Sequence, residues 1–371
     1  MGYKVPFVDL PKHYQELEKE LMPVIKDVLF TRADLIMRGD LKEFEEGIAR
    51  FVGTRYAVGL NSGTDAIFLS LLAAGIGKGD EVITVAHTFV ATVAAIHFSG
   101  ATPVLVDVGR DHNMNVDLIE KAITKKTKAI IPVHLNGRIC HMKKIMELAK
   151  KHDLAVIEDA CQSLGAKFDG QTAGSIGLTG CFSMYPFKIL GGPGDGGILV
   201  TNDKAIEEKI RLYRDHSLNR KTMEIVNFGF NSRLDNFHAA ILNVKLKYLP
   251  NWIIRRREVA KIYQDGLRDV KEITLPLILD ENPSFHDVFQ NYVITCKERD
   301  QLAGFFTENG IETLISWRIP MHFHKGLNLN HFKLPETERI SREVVSLPMN
   351  TEITNDQVQY VVETIRKFYK K

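Results

Sequence analysis

Five short apolar runs, Tyr56–Leu60, Glu81–Val85, Pro103–Val106, Ala129–Val133 and Leu154–Ile157, alternate with segments of helical spacing, and nothing else in the chain constrains its fold as strongly. An apolar run of this length without strict polar alternation suits a strand covered on both faces. Parallel neighbours need a crossover of a dozen or more residues, and segments such as Met142–His152 supply one with helical periodicity. The pattern predicts an α/β fold, a mostly parallel sheet with helices on both faces. In such sheets the chemistry gathers in loops beyond the carboxyl ends of the strands. An amphipathic helix over about Tyr14–Phe30 precedes the first run.

Near Pro250 the pattern changes. A long basic helix, Ile254–Leu267, is followed by an isolated strand at Asn291–Cys296 and a closing helix at Asp356–Tyr369. In 371 residues this reads as a large domain over 1–250 and a small C-terminal α+β domain over 251–371. Lys and Arg number 48 against 46 Asp and Glu, a net charge of +2, so no overall pull toward nucleic acid or an anionic membrane is built in. The runs Lys125-Lys126 and Arg255-Arg256-Arg257 read as solvated helix faces. The longest weakly polar stretch, Val82–Ala101, contains His87, Thr88, Thr92 and His97 and suits a strand and a helix better than a membrane span. Cys140, Cys161, Cys181 and Cys296 show no CxxC spacing and read as reduced thiols. With no apolar secretory core at the start, and Pro6 where a myristoylation signal wants Ser or Thr, the expected location is the cytoplasm.

Three places carry candidate chemistry. The turn Asn61-Ser62-Gly63-Thr64-Asp65 lies between an apolar strand and the apolar helix Ala66–Ala74. Free backbone N–H groups at such a turn can hold a phosphate, although Ser62 or Thr64 could equally be a plain helix cap. The run Leu154–Ile157 ends in Glu158-Asp159, a carboxylate at the end of a buried strand. Burial calls for a positive partner, which a protonated pyridine nitrogen would provide; a strand-end Asp opening a turn is the bland alternative. Lys188 stands in the apolar, Gly-rich segment Cys181–Gly197, where desolvation would favour the neutral amine that Schiff-base chemistry needs. Taken alone it could be an ordinary lysine. Gly192, Gly194 and Gly197 match G-x-G-x-x-G in letters only, because the strand-like Ile198–Thr201 follows where a dinucleotide site needs a helix. His322-x-His324 could be half a metal site, but no third ligand falls at a recognisable spacing, so no metal is expected.

These segments together resemble the nucleotide-sugar aminotransferases named after DegT and StrS. The ordered matches are Ser62–Ala66, Thr88–Thr92, His134-Leu135-x-Gly137, Glu158-Asp159-Ala160-x-Gln162, Phe182–Gly191, Gly194–Gly197 and Asn231–Asp235, from Pro6–Leu10 to Leu347-Pro348. The resemblance implies the aspartate-aminotransferase fold of pyridoxal 5'-phosphate (PLP) enzymes and a homodimer with shared active sites. It implies amino transfer from glutamate to a nucleotide-linked keto-sugar, in amino-sugar biosynthesis for polysaccharide or glycosylated metabolites. Lys188 matches the lysine that forms a Schiff base with the cofactor and shuttles protons, and Asp159 the carboxylate facing the pyridine nitrogen. Phe89 matches an aromatic that stacks on the ring, and Gln162 a residue near the ring hydroxyl. Gly63, Thr64, Asp65 and Ser183 match phosphate contacts, and Asn231 a phosphate ligand reaching over from the second subunit. Tyr185 and His322 are matched more loosely to the sugar pocket.

The chain departs from the family at Ile189, where Asn is usual, at Asn136, where Tyr is usual, and at His238, where Gln is usual. These bear on the substrate rather than on cofactor chemistry. Some relatives with histidine in place of the lysine are dehydratases, and Lys188 argues against that here. A sugar dehydratase or epimerase, or a non-enzymatic regulator on the same fold, are the alternatives.

Overall fold

A computed structural model describes residues 2–277 and 281–370. The opening helix α1 is Leu10–Lys26, starting ahead of its expected position because Asp9 accepts from the Lys12 amide and Pro11 occupies the first turn. It continues as a π-helical turn over Asp27–Arg32. The expected α/β architecture follows, with β1 (Tyr56–Leu60), α2 (Gly63–Ala73), β2 (Glu81–Val85), α3 (Val90–Phe98), β3 (Thr102–Val106), β4 (Thr127–Ile130), α4 (Met142–His152), β5 (Ala155–Asp159), β6 (Thr179–Ser183) and β7 (Gly197–Thr201). These strands form one seven-stranded sheet in the order β1-β7-β6-β5-β4-β2-β3. Only β7 runs against the rest, pairing antiparallel with β1 and β6.

That reversal positions everything functional. Leu60 at the end of β1 pairs with Gly197 at the start of β7, and Gly197 pairs with Ser183 at the end of β6. Next in the sheet, Asp159 at the end of β5 pairs with Cys181. The carboxyl ends of three strands and the loop from β6 to β7, which carries Lys188, therefore meet at one edge.

Downstream, α5 (Asn236–Leu246) packs beside the loop after Lys188, and α6 (Leu249–Leu267) runs across residue 250. Leu249 and Ile253 of α6 lie in the large core, and Val259, Tyr263 and Leu267 in a second core. That second core covers a small antiparallel sheet of Ile273–Thr274, Tyr292–Cys296 and Val344–Leu347, and it includes the terminal helix α7 (Asn355–Phe368). Val5 is buried there too, with its amide donating to the Gly310 carbonyl, so the chain enters the smaller unit at its start as well as after residue 250.

Two expectations about charge need correction. Lys125 and Lys126 lie in the turn before β4, not on a helix. Arg256 is no solvated charge: it is buried, and its Nη1 donates to the carbonyls of Phe289, Gln290 and Met349. Burial pushes its pKa down to about 10, with Glu352 opposing. Arg256 sits on the inward face of α6 where helical periodicity alone leaves the choice of face open.

Candidate active site

Strand alternation sends Glu158 and Asp159 to opposite faces. Glu158 is fully buried and bound by the amides of Gly174, Ile176 and Gly177 and by His134 Nε2, so it holds a loop behind the sheet. Asp159 points toward the loops. Its Oδ2 accepts from Thr92 Oγ1 at 2.7 Å and its Oδ1 from the Cys161 amide at 3.3 Å. Thr88 and Thr92 are hydrogen-bonded one turn apart across the start of α3, so the same turn that carries Phe89 also supplies the grip on Asp159. Thr92 was not singled out from the sequence; its i,i+4 spacing from Thr88 was the available signal.

Lys188 lies close enough to this carboxylate for their charges to interact. Burial lowers the pKa of its amine below the ordinary lysine value, and the nearby Cys161 and Asp159 oppose the shift. The Cys161 thiol is pushed well up by burial and then by the Asp159 charge, so it stays protonated beside the lysine. Phe89, at the first position before α3, is 61% exposed and presents its ring to the open side.

The turn before α2 is both a cap and an anion cradle. Ser62 Oγ accepts from the Asp65 amide at 3.1 Å, which settles Ser62 as the cap. The first-turn amides of Gly63 and Thr64 have no carbonyl one turn back to bind. Gly63 is required by crowding: a Cβ there would meet Cys161 Sγ at 2.7 Å and Ser183 Cβ at 3.1 Å. Gly197 presses on the other side, where a Cβ would lie 2.2 Å from the Ser62 carbonyl carbon. Ser183 itself accepts from the Tyr185 amide at 3.3 Å. A carboxylate that no cationic side chain binds among the described residues, a nearby amine of lowered pKa, and an N-terminal cradle at hand fit PLP by their donor chemistry.

Other expected residues lie further out. Gln162 Oε1 accepts from the Asn136 amide at 2.9 Å, leaving its N–H groups as donors. Asn136 has φ +57, a left-handed conformation that Asn tolerates better than an aromatic. Tyr185 is half-exposed and packs edge-on against Phe187. His322 is fully buried, its Nε2 3.3 Å from Glu338 Oε1, and so offers no surface to an open pocket as packed. His324 Nε2 turns to the Ile319 carbonyl instead. Among the described residues no group of three His, Cys, Asp or Glu is placed to hold a metal ion, and no helix is long and apolar enough to cross a membrane. Asn231 is exposed and pairs through its backbone with Asp215. It does not cap the helix that follows: Asp235 holds that position before Asn236. Around it the chain exposes Met223, Ile225, Val226 and Phe228, the last at 92%. A cavity of about 590 Å³ between the two units is lined by Arg110, Arg138, Asp287 and Arg339, and Asn136 borders it too.

Known proteins resemble this chain along nearly its whole length. The chain is 41% identical to a pleiotropic regulatory protein of Geobacillus stearothermophilus, over 99% of each chain. It is 40% identical to a UDP-N-acetyl-3-dehydro-alpha-D-glucosamine 3-aminotransferase of Acidithiobacillus ferrooxidans, over 98% of this chain and 97% of that one. It superposes on a crystal structure of S. venezuelae DesV in complex with a ketimine intermediate with a TM-score of 0.95, at 36% identity and 100% of both chains. The enzymes of this family are PLP-dependent. Residues 15–366 match its model, and the chain belongs to the DegT/DnrJ/EryC1/StrS aminotransferase family.

Proposed function

We propose that this protein is a PLP-dependent aminotransferase that moves an amino group from glutamate to a nucleotide-linked keto-sugar. The observation that carries the reading is the buried Asp159 carboxylate, fixed by Thr92 and the Cys161 amide, within charge-interaction range of the Lys188 amine. When bound, the cofactor supplies an electron sink, which Asp159 sustains by favouring a protonated ring nitrogen. Lys188 Nζ would hold the cofactor and carry the proton between carbon atoms. Gly63, Thr64 and Ser183 would bind the phosphate, whereas the Asp65 amide expected there too is taken by Ser62 Oγ; Phe89 would cover the ring, and an N–H of Gln162 would serve its hydroxyl.

Asn231 would complete the phosphate site of a second copy, and the exposed Met223–Phe228 segment supports a homodimer because so much apolar surface calls for cover. We read residues 1–250 as the large cofactor-binding domain and 251–371 as the small one, with Val5 crossing over to the latter. Four free thiols suit a reducing, cytoplasmic setting. Tyr185 borders the open side; a sugar contact by His322 would require it to leave Glu338.

The regulatory name of the Geobacillus relative favours a second reading, a regulator on the same fold. A panel of nucleotide keto-sugars incubated with glutamate and PLP, read by mass, separates the two. An aminated sugar is expected from at least one member; none, with cofactor bound, supports the regulator.

A further inference from the structure

The peptide on either side of Lys188 is held by a residue of the smaller unit. Gln290 is buried, and its Oε1 accepts from the Ile189 amide at 2.9 Å while its Nε2 donates to the Phe187 carbonyl at 2.8 Å. A carboxamide has one acceptor and one donor side, so it pairs with these groups as a neighbouring strand would. Among the described residues no strand pairs with Phe187–Ile189 in the loop between β6 and β7. Without Gln290 the Ile189 amide, on a buried residue, would be left unsatisfied.

Gln290 is in turn well fixed. Arg256 binds the carbonyls of Phe289 and Gln290, the Val288 amide donates to the Gly137 carbonyl at 2.9 Å, and Asn291 Nδ2 donates to Asn136 Oδ1 at 3.2 Å. One segment, Val288–Asn291, thus grips the loop of Lys188 on one side and the loop that binds Gln162 on the other. We propose that Gln290 is a positioning residue for Lys188, through which the packing of the smaller unit sets where the lysine amine stands. A lysine arm has four rotatable carbons, so its reach is only as accurate as the backbone that carries it, and proton transfer tolerates errors of roughly 0.5 Å. The proposal rests on the reading of Lys188 given above.

The test uses the full-length protein, with and without PLP. In the cofactor-free protein, hydrogen exchange read by mass spectrometry should rise in the peptide around Lys188 for Gln290→Met, while β6 and Tyr292–Cys296 keep wild-type protection. On adding PLP, the rate at which borohydride fixes cofactor to Lys188 should fall roughly ten-fold. Gln290→Glu keeps the shape and the acceptor but sets an oxygen against the Phe187 carbonyl; it should show the same losses and carries the test if Gln290→Met does not fold. A lower melting temperature with unchanged exchange and trapping would mean a packing role alone and overturn the proposal. Wild-type protein that traps no cofactor on Lys188 would instead sink the reading of that lysine, since the exchange measurement reports on Gln290 independently.

Discussion

At the scale of single residues, the proposed site depends on a carboxylate that is buried yet bonded to no cationic side chain among the described residues. Asp159 keeps two short-range donors, Thr92 Oγ1 and the Cys161 amide; in an Asn the amide of Cys161 can still donate to the side-chain oxygen, and the Thr92 hydroxyl can accept from the side-chain N–H. Asp159→Asn should therefore fold and bind PLP while losing its negative charge. We expect amino transfer to drop roughly a thousand-fold, the scale of about 4 kcal/mol removed from a preorganised contact. Single-turnover rates with glutamate, alongside a melting curve, check this; a near-normal rate in folded variant protein would rule out the electron-sink role. Lys188 and Asp159 could be proposed from the sequence because each lies in one of several ordered motifs, although a lone lysine or a strand-end Asp would be unremarkable. Thr92 and Gln290 were not singled out, because threonine and glutamine are unremarkable until the fold brings them to a partner far along the chain.

At the scale of elements, the Gly-rich loop is shaped by α5. Gly192 has no room for a side chain, since a Cβ would meet His238 Nε2 at 1.8 Å, and the buried Lys245 donates to the Gly191 carbonyl from the same helix face. The glycine spacing that imitates a dinucleotide fingerprint thus arises from helix packing and from the strand β7 that begins at Gly197. His238 is correspondingly desolvated: burial lowers its pKa from 6.5 to about 4, with Asp235 and Asp195 opposing and Lys245 assisting. Between these values the unfolded chain binds the proton and the folded chain does not. Stability therefore falls as pH drops through this window, by of order 3 kcal/mol in all. His238→Gln, which cannot take a proton, should remove that part of the slope. Urea midpoints from pH 7 to pH 4 test it, and equal slopes for both proteins would show that His238 is not the titrating group.

For the whole molecule, the question is whether one chain makes a complete site. Asn231 lies exposed beside an apolar segment, Met223–Phe228, that a lone chain would leave in water. If a second copy covers it, Lys188→Ala and a disabling Asn231 variant should each be inactive. Co-refolded in equal amounts, they should regain roughly a quarter of wild-type activity, because half the dimers are mixed and each mixed dimer holds one intact site. No recovery in a mixture shown to contain heterodimers would place Asn231 in its own chain's site or in none.

By itself, the sequence determined the sheet, its layers and the strand ends at which chemistry collects, because burial on both faces imposes a local pattern of apolar residues that can be read in order. It also set out, in short ordered motifs, the residues proposed here to hold the cofactor. Only the tertiary structure decided which way paired groups turn: Glu158 behind the sheet and Asp159 toward Lys188, Arg256 inward rather than solvated, His322 against Glu338. Only it joined Gln290 to the peptide groups of Phe187 and Ile189 and set His238 against Gly192. These contacts span up to a hundred or so positions of chain, and their partners are set by how helices and the smaller unit pack, which no local pattern of residues encodes.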